Sequence, residues 1–247
     1  MLDLNSKQTF NQKTFALLTT KKLSAKENML IDKELFEAFK ASNMPIFRVY
    51  EWEESFTYGI SQNIDTIKNW EHLKKYNHNY GQRMTGGGIL FHGNDISYSL
   101  MIPSTFVKNL SVKESYEVIC SFLLKFYESL GLKPAYAKDI EEISLAKSDY
   151  CQEGYEPYDI LIHDKKSGYK KVGGNAQRRF KDTIFQHGSI SIDNSTYSIG
   201  NSLEDLGVKI SFKEARKLLA DSFSSSFNVL FQKNRLNNIN KDSLYAS

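Results

Sequence analysis

The run Arg83-Met84-Thr85-Gly86-Gly87-Gly88, which continues into Ile89-Leu90-Phe91-His92, lies between two segments with the composition of β-strands. Glycine weakens strands and loses more conformational entropy on ordering than any other residue, so packing alone does not explain three in a row. We therefore expect this backbone to approach a ligand closely, with Arg83 and His92 supplying charge and hydrogen bonds. A flexible hairpin tip is the structural alternative. A nucleotide-phosphate loop is excluded, because neither Gly-Lys-Ser/Thr nor Gly-x-Gly-x-x-Gly is present.

The bulk composition is that of a globular chain. The 247 residues are 40% hydrophobic and include 16 phenylalanines and 14 tyrosines, enough for an ample core in one large domain or two small ones. A net charge of +3 is too small to indicate nucleic-acid binding, although it allows a mildly basic surface for an acidic protein partner. The chain has no apolar N-terminal region and no apolar run of membrane length. We expect a cytoplasmic protein.

Three Ser-x-x-Glu capping boxes predict helix starts, because each side chain in the box satisfies the other residue's free amide. They begin at Ser24, Ser111 and Ser211, and apolar residues follow at helical spacing, to about Ser42 in the first case and Gly131 in the second. The β-rich runs between them are 46–50, 56–60, 96–102, 158–162 and 185–192. This irregular interleaving predicts an α+β domain over residues 1–233, followed by a polar tail at 234–247.

A second informative segment, Lys170-Lys171-Val172-Gly173-Gly174-Asn175-Ala176, precedes the strand Phe185-Gln186-His187-Gly188. With the glycine loop it resembles the catalytic-domain signature of the biotin/lipoate ligase and octanoyltransferase superfamily. That signature has an Arg before a Thr/Ser-Gly-Gly-Gly loop and a His four residues after it. A Lys-aliphatic-x-Gly-x-Ala segment and a His-Gly-aliphatic strand follow. All of these parts occur here in order, and the resemblance covers about residues 27–228.

The resemblance implies both a fold and a substrate site. The implied fold is a single α+β catalytic domain with a mixed or antiparallel sheet flanked by helices. The two histidines would line an acyl pocket near the reactive carbonyl, and small residues would let the acyl chain pass close to backbone amides, the usual oxyanion donors of acyl transfer. The expected substrate-binding residues are Arg83, Thr85, Gly86, Gly87, Gly88, His92, Gly173, Gly174, Ala176, His187 and Gly188. We expect Gly87→Val to block this pocket while leaving the fold largely intact.

The two cysteines, Cys120 and Cys151, have neither redox-motif nor metal-ligand spacing, and we expect no metal site. Cys120 falls within a predicted helix on its apolar face, where a free thiol behaves as a small hydrophobe. Cys151 precedes a polar loop. On the residues alone, Cys151 is equally a nucleophile beside a pocket or an incidental surface thiol.

Octanoyltransferases of the LipM type, to which this region is similar, place a cysteine seven residues before a Tyr-acidic-aliphatic strand. A hairpin then leads to the signature lysine. Here Cys151 stands seven residues before Tyr158-Asp159-Ile160, and the hairpin 164–169 leads to Lys171. The resemblance implies Cys151 and Lys171 as the catalytic pair. This chain departs from the family pattern at Gln152, where Phe is usual, at 155–157, where Pro-Ser precedes the Tyr, and at Gln82, where a second Arg often stands.

The implied pair is consistent with thiol chemistry. The thiolate is the nucleophile, and an unperturbed cysteine with a pKa near ~8.5 is mostly protonated at neutral pH. The ammonium of Lys171 would stabilise the thiolate while desolvation opposes it, so we expect the pKa of Cys151 to fall by roughly one to two units. Lys171 would also serve as a proton shuttle to the incoming lysine amine. A surface position beside Lys170 is the alternative for Lys171.

The function implied is transfer of an octanoyl group from acyl carrier protein to a lysine of a lipoyl-domain protein, such as the glycine cleavage H protein. Cys151 would accept the acyl chain as a thioester, and the target lysine would then attack it. This chemistry requires no ATP, metal or organic cofactor. We expect a monomer with neither nucleic-acid nor membrane partners.

Other functions stay open at the level of sequence. In an ATP-dependent lipoate–protein ligase, Lys171 would contact the acyl-adenylate phosphate, ATP and Mg²⁺ would be needed, and Cys151 would be incidental. Such ligases commonly carry a small C-terminal domain, whereas only a short polar tail follows the last predicted helix, although a split ligase remains an alternative. Biotin ligase is disfavoured by the lipoate-type run 175–179. A non-catalytic protein that binds lipoyl or acyl-carrier domains would not need Cys151 and Lys171 together.

Overall fold

The computed structural model of the chain describes residues 13–67, 71–76, 78–145, 154–194 and 200–233. In this part of the chain the helices are α1 (Ala25–Ser42), α2 (Ile64–Ile67), α3 (Val112–Ser129) and α4 (Phe212–Phe227). The first six strands are β1 (Thr14–Leu23), β2 (Ile46–Trp52), β3 (Ser55–Tyr58), β4 (Tyr80–Gln82), β5 (Leu90–His92) and β6 (Asp95–Pro103). The others are β7 (Pro134–Tyr136), β8 (Ile160–Asp164), β9 (Gly168–Lys170), β10 (Gly173–Arg179), β11 (Thr183–Ser191) and β12 (Leu230–Lys233). The tail predicted at 234–247 lies outside the described residues, and the domain boundary at 233 stays a prediction.

The three long helices begin where the capping boxes predict. Ser24, Ser111 and Ser211 are the N-caps of α1, α3 and α4. Each serine side chain accepts a hydrogen bond from the backbone N–H of the glutamate three residues on, and that glutamate's carboxylate accepts one from the serine backbone. Each box therefore satisfies two amides that a helix start leaves free. α1 ends at Asn43, which adopts a left-handed conformation with a φ of 53°.

The main sheet has six strands in the order β10-β11-β6-β2-β1-β12. β1 pairs in parallel with β2 and β12, and the other neighbours are antiparallel, so the sheet is mixed. Side chains alternate between its faces: Phe47 of β2 packs against Phe122 of α3 and Phe223 of α4, while Arg48 bonds to α1 on the other face. Helices cover both faces, and the predicted α+β class with a helix-flanked mixed sheet is confirmed.

A buried ion pair joins α1 to the sheet. Arg48 Nη1 donates to Asp32 Oδ1 at 2.8 Å, and both side chains are buried. Ser99 Oγ donates to the same oxygen at 2.7 Å, and Tyr50 donates to Asp32 Oδ2 at 3.3 Å. Burial raises the pKa of Asp32, and the charge of Arg48 opposes this. Separating α1 from the sheet would leave both buried charges unpaired, which is costly. The ion pair therefore holds α1 against the sheet.

Two small sheets carry the segments predicted to form the site. The first has the order β4-β3-β5, and the glycine loop at 86–88 connects β4 to β5. The second has the order β7-β8-β9, in which β8 and β9 form the predicted hairpin with Asp164 opposite Gly168. From β9 the chain passes through Lys171 into β10. None of the helices in the described ranges combines the length and apolar character needed to cross a membrane.

Candidate active site

A cavity of about 890 Å³ lies where the glycine loop, β10, β11 and the start of α3 meet the segment that precedes β8. Its volume falls in the range of small-molecule pockets. Its wall includes the glycines at 86–88, Lys171 and Asp159. The sequence therefore brings its two signature segments, which are about 90 residues apart, to one cavity.

Arg83 holds the glycine loop. Its Nη2 donates to the carbonyl oxygen of Gly88 at 2.5 Å, and its Nη1 donates to Thr57 Oγ1 at 2.8 Å. The side chain is buried and also contributes to the cavity wall. We predicted that the Arg83 guanidinium binds a ligand. In the structure two of its nitrogens hold the backbone of the loop and Thr57 in place.

The three loop glycines serve different purposes. Gly87 has a φ of +99°, a conformation that side chains with a Cβ rarely adopt. A Cβ added to Gly59 would lie 2.2 Å from the carbonyl oxygen of Gly87. The absence of a side chain at Gly59 therefore lets the loop pack close to the end of β3. Gly86 has no atom within 4 Å of an added Cβ. A substitution at Gly87 would strain the backbone, so Gly87→Val would not test the pocket alone, whereas Gly86 faces open space.

His92 belongs to a chain of hydrogen bonds that ends at the loop. Its Nδ1 lies 2.7 Å from Asp95 Oδ2, and its Nε2 lies 2.9 Å from Thr57 Oγ1. Trp52 stacks on the imidazole with 3.7 Å between ring centroids. Burial acts to raise the pKa of Asp95, but His92 and the hydrogen bonds that Asp95 accepts lower it below its ordinary value. His92 therefore lines the cavity with both ring nitrogens already engaged.

His187 faces the cavity as a neutral imidazole. Its Nε2 lies 2.6 Å from Thr85 Oγ1, and Thr85 is fully buried behind it. Burial, together with the charge of Arg83, lowers the pKa of His187 well below its ordinary value. The structure places His187 on the cavity wall and Thr85 outside it, so Thr85 orients His187.

The small residues of β10 and β11 divide into two groups. Gly174, Ala176 and Gly188 line the cavity. Gly188 also leaves room for Asn175, because an added Cβ would lie 2.0 Å from Asn175 Oδ1. Gly173 does not line the cavity, and an added Cβ there would meet the carbonyl oxygen of Ser189 at 2.3 Å. Its glycine serves the close pairing of β10 with β11.

Lys171 lies on the cavity wall in a buried ion pair. Its Nζ donates to Asp159 Oδ2 at 2.6 Å and to the carbonyl oxygen of Gly154 at 3.0 Å. The backbone N–H of Glu156 donates to the same Asp159 oxygen at 2.8 Å. Burial raises the pKa of Asp159, and the charge of Lys171 opposes this. Lys170 is half-buried at the end of β9 and does not line the cavity, so the geometry favours Lys171 over its neighbour.

Of the two cysteines, the structure describes only Cys120. Cys151 lies outside the described residues, and its role as nucleophile stays a prediction. Cys120 is fully buried in the core, where Gln186 Nε2 lies 3.3 Å from its Sγ. Burial raises the pKa of the Cys120 thiol to about 12. A thiol that stays protonated at neutral pH is a poor nucleophile, which supports a structural role for Cys120.

We expect Cys120→Ala to cost roughly 1 kcal/mol in the free energy of unfolding, because it leaves a small core cavity. If the acyl-enzyme implied by the family resemblance forms on Cys151, its rate of formation should stay near normal in this variant, since Cys120 does not line the cavity. Denaturant unfolding and mass spectrometry of the acylated protein measure the two quantities. A folded Cys120→Ala protein that no longer takes up the acyl group would move the nucleophile to Cys120.

Several residues of the site were not predicted from the sequence. Thr57, Asp95 and Ser189 connect His92 and Arg83 to the sheet, and Ser189 Oγ donates to Asp95 Oδ2 at 2.5 Å. Asp95 stands three residues after His92, which is a signal that sequence reasoning could have used. Among the described residues, no group of three or more His, Cys, Asp or Glu side chains is arranged to hold a metal ion. The expectation that the reaction needs no cofactor stays a prediction.

The glycine loop and the buried Lys171 meet at one cavity, as expected for a catalytic domain of the lipoate-ligase class. The family model described as lipoyl protein ligase A/B catalytic domain matches residues 24–224, and the chain belongs to this family. The predicted resemblance is thereby confirmed.

Named relatives refine this placement. The chain is 25% identical over 252 aligned positions to octanoyltransferase LipM of Bacillus subtilis (strain 168), with 88% of each chain covered. It is 31% identical over 170 positions to octanoyltransferase LipM of Clostridioides difficile (strain 630), which covers 67% of this chain and 61% of that protein. A solved lipoate protein ligase structure from T. acidophilum with bound lipoic acid has a TM-score of 0.70 and 18% identity. That match covers 94% of this chain and 92% of the other, and it shows the shared fold.

Proposed function

We propose that this chain is an octanoyltransferase that moves an octanoyl group from an acyl carrier protein to a lysine of a lipoyl-domain protein. Its relatives named octanoyltransferase LipM support this activity. The structural observation that carries the proposal is the anchoring of Lys171, whose ammonium lies at the cavity and donates to Gly154 O at 3.0 Å. We further propose the glycine cleavage H protein as acceptor and a monomer that works in the cytoplasm.

The contact at Gly154 bears on the proposed nucleophile. Gly154 follows Cys151 by three residues, and three residues of fully extended chain span at most about 11 Å. Asp159 and Gly154 accept two of the three ammonium hydrogens of Lys171. Within the described ranges the third hydrogen has no acceptor, and we assign it to the thiolate of Cys151.

The chemistry divides into two half-reactions. In the first, the Cys151 thiolate attacks the carbonyl carbon of the carrier's thioester, and the carrier leaves as a thiol. In the second, the neutral amine of the target lysine attacks the carbonyl carbon of the Cys151 thioester. The C–N bond forms, the C–S bond breaks, and the proton that the amine loses goes to the departing Cys151 sulfur. The donor thioester already carries the activation that a ligase obtains from ATP, so the proposed reaction proceeds without a nucleotide.

A ligase is the second candidate, because the lipoate protein ligase from T. acidophilum shares the fold. The deciding experiment mixes the purified protein with octanoyl-acyl carrier protein in the absence of ATP. We expect the protein to gain the mass of one octanoyl group and to pass it on to a lipoyl-domain protein. No gain in mass, together with lipoylation that depends on ATP and free lipoate, would assign the chain to the ligases.

We expect Lys171→Ala to shift the alkylation of Cys151 by iodoacetamide to higher pH by roughly one to two units, because the thiolate loses its ammonium partner. The rate of alkylation against pH, measured for the unmodified protein and the variant, gives the shift. Lys170→Ala is the matched control, since Lys170 does not line the cavity, and it should leave the profile in place. Identical profiles for Lys171→Ala and the unmodified protein would separate Lys171 from the thiol.

A further inference from the structure

The cavity extends around one edge of the main sheet. β10 is the last strand on its side of the sheet, and no other strand of the described ranges pairs with its outer edge. Gly174 and Ala176 of β10 line the cavity, and Asn175 and Gln177 line it as well. Because neighbouring residues of a strand point to opposite faces, the cavity borders both faces of β10.

The contacts of β10 and β11 show which face is which. Ala176 lies opposite His187, and the imidazole of His187 bonds Thr85 in the segment that carries the glycine loop. On the other face the hydroxyl of Tyr98 donates to Asn175 Oδ1 at 2.8 Å, and its ring packs against α3. The cavity therefore has one lobe beside the two histidines and a second lobe beside the start of α3, which we call the α3 lobe.

The α3 lobe combines apolar surface, amide groups and an exposed cation. Its lining residues are Val112, Lys113, Tyr116, Tyr158, Asn175 and Gln177. Val112 is 59% exposed although it is apolar, and the rings of Tyr116 and Tyr158 pack edge to face with 6.2 Å between centroids. This lobe lies on the opposite face of β10 from the two histidines, which we expected to line the acyl pocket.

We propose that the α3 lobe binds the pantetheine arm of the octanoyl donor. The acyl chain then lies in the lobe beside the histidines, and the thioester lies at the start of β10 beside Lys171. This inference rests on the proposed function. An acyl carrier protein presents its acyl group as the thioester of a 4′-phosphopantetheine, a flexible arm that carries amides, geminal methyl groups and, at its far end, a phosphodiester.

Each part of this arm has a complementary group in the α3 lobe. The methyl groups can pack against Val112 and the tyrosine rings, which removes apolar surface from water. The Gln177 amide accepts from Ser115 Oγ at 3.1 Å and donates to Gln186 Oε1 at 3.0 Å, which uses one of its two hydrogens. The other hydrogen can donate to an amide of the arm, and the exposed ammonium of Lys113 can donate to the phosphodiester.

Charge favours the donor arm over the acceptor lysine as the occupant of the α3 lobe. Lys113 is exposed at the rim, and Arg179 donates to Ser111 O at the start of α3 at 3.1 Å. The carboxylate of Glu114 is engaged in the capping box of α3. Glu156, an exposed acid of the cavity wall, belongs to the segment before β8. The α3 side of the lobe is therefore positive, so that it attracts a phosphodiester and repels the ammonium of a lysine.

Three small donors separate the contributions of the arm. Octanoyl-N-acetylcysteamine has a truncated arm, octanoyl-pantetheine adds the geminal methyl groups and a further amide, and octanoyl-4′-phosphopantetheine adds the phosphate. All three have the same thioester chemistry, so differences in kcat/KM for transfer to a lipoyl-domain protein report the binding of the arm. For the unmodified protein we expect kcat/KM to rise about tenfold at the first addition. It should rise about fivefold at the second, the scale of an exposed ion pair.

Two variants and a matched control assign these increments to residues. Val112→Asn removes apolar surface without adding charge and should reduce the first increment from about tenfold to about threefold, with the truncated donor affected least. Lys113→Glu should abolish the second increment. Lys125→Glu is the control, because Lys125 is also exposed on α3 but does not line the cavity, and it should keep both increments.

Equal kcat/KM values for the three donors in the unmodified protein, or a Lys113→Glu protein that keeps the second increment, would overturn the assignment of the α3 lobe. Transfer from the carrier protein but from none of the small donors would also overturn it, since the carrier's surface would then supply the recognition. A higher KM for the lipoyl-domain protein in Val112→Asn, with both increments intact, would give the lobe to the acceptor lysine.

Failure of the proposed function gives a different result. An unmodified protein that transfers octanoyl groups neither from the carrier protein nor from any small donor would overturn the proposed function. Failure of the inference alone leaves transfer from the carrier protein intact.

Discussion

Replacement of Cys151 with serine is expected to lower octanoyl transfer by at least roughly a thousandfold, the scale seen when an essential nucleophile is removed. A serine hydroxyl is far less acidic than a thiol, and one ammonium cannot convert it to an alkoxide at neutral pH. The acyl-enzyme should disappear as well, because the first half-reaction is the step that is lost. Both quantities follow from one experiment with octanoyl-acyl carrier protein, in which the mass of the protein and the acylation of the acceptor are measured together.

Cys120→Ala is the natural control for Cys151→Ser. Both variants remove one thiol, but Cys120 lies in the core and not on the cavity wall. We expect the acyl-enzyme to form in Cys120→Ala and to be absent in Cys151→Ser. Full activity of Cys151→Ser with ATP and lipoate would contradict the acyltransferase mechanism and assign the site to a ligase.

Local signals in the sequence predict where the three long helices begin. The strand β1 was not predicted, because it is stabilised by pairing with strands distant in the sequence. A capping box is read from four neighbouring residues, and each of the three boxes starts a helix at its serine. β1 was not among the predicted strands. It pairs with β12, so that Thr14 lies opposite Leu230, more than 200 residues away. Its buried and exposed residues do not alternate regularly. The sequence of β1 therefore lacks the period-two hydrophobic pattern that predicts a strand.

The site shows the same division between local motif and tertiary contact. The signature residues His92, His187 and Lys171 all line one cavity. Among their partners, Asp95 was not predicted, Thr85 was expected to bind substrate, and Asp159 was noted only as part of a strand motif. A motif names residue types without saying which atoms they bond. Arg83 is an example of a residue whose contacts could not be predicted from its type. Its charge suggested a ligand contact, while its two terminal nitrogens hold Gly88 and Thr57.

The glycines give the clearest physical reason why the sequence alone could not assign roles. Gly86, Gly87 and Gly173 were all predicted to contact substrate. In the structure Gly173 makes room for Ser189 O, Gly87 adopts a positive φ, and Gly86 alone of the three borders the cavity with open space at its Cβ position. A glycine required by the backbone and a glycine required by a ligand look identical in one sequence.

A large side chain at Gly86 is therefore the sharpest test of the loop as a wall of the acyl pocket. We expect Gly86→Leu to lower octanoyl transfer by about a hundredfold, because the side chain would enter the open space at the cavity wall. Gly86→Ala should stay within about threefold, since one methyl group occupies little of the space. The free energy of unfolding should change by less than about 0.5 kcal/mol in both variants, as for other substitutions that meet no neighbours.

Gly87→Ala is the matched control for Gly86→Ala, because it adds the same methyl group one residue away at a φ of +99°. A left-handed conformation costs a residue with a Cβ about 1–2 kcal/mol, so this variant should lose stability. The pair Gly86→Leu and Gly87→Ala thus separates occupation of the cavity from strain in the loop. Activity should fall in the first variant without a change in unfolding, and unfolding should change in the second. If Gly86→Leu transfers octanoyl groups at the unmodified rate, the acyl chain does not pass along this wall, and the glycine loop serves only the backbone geometry that Arg83 holds.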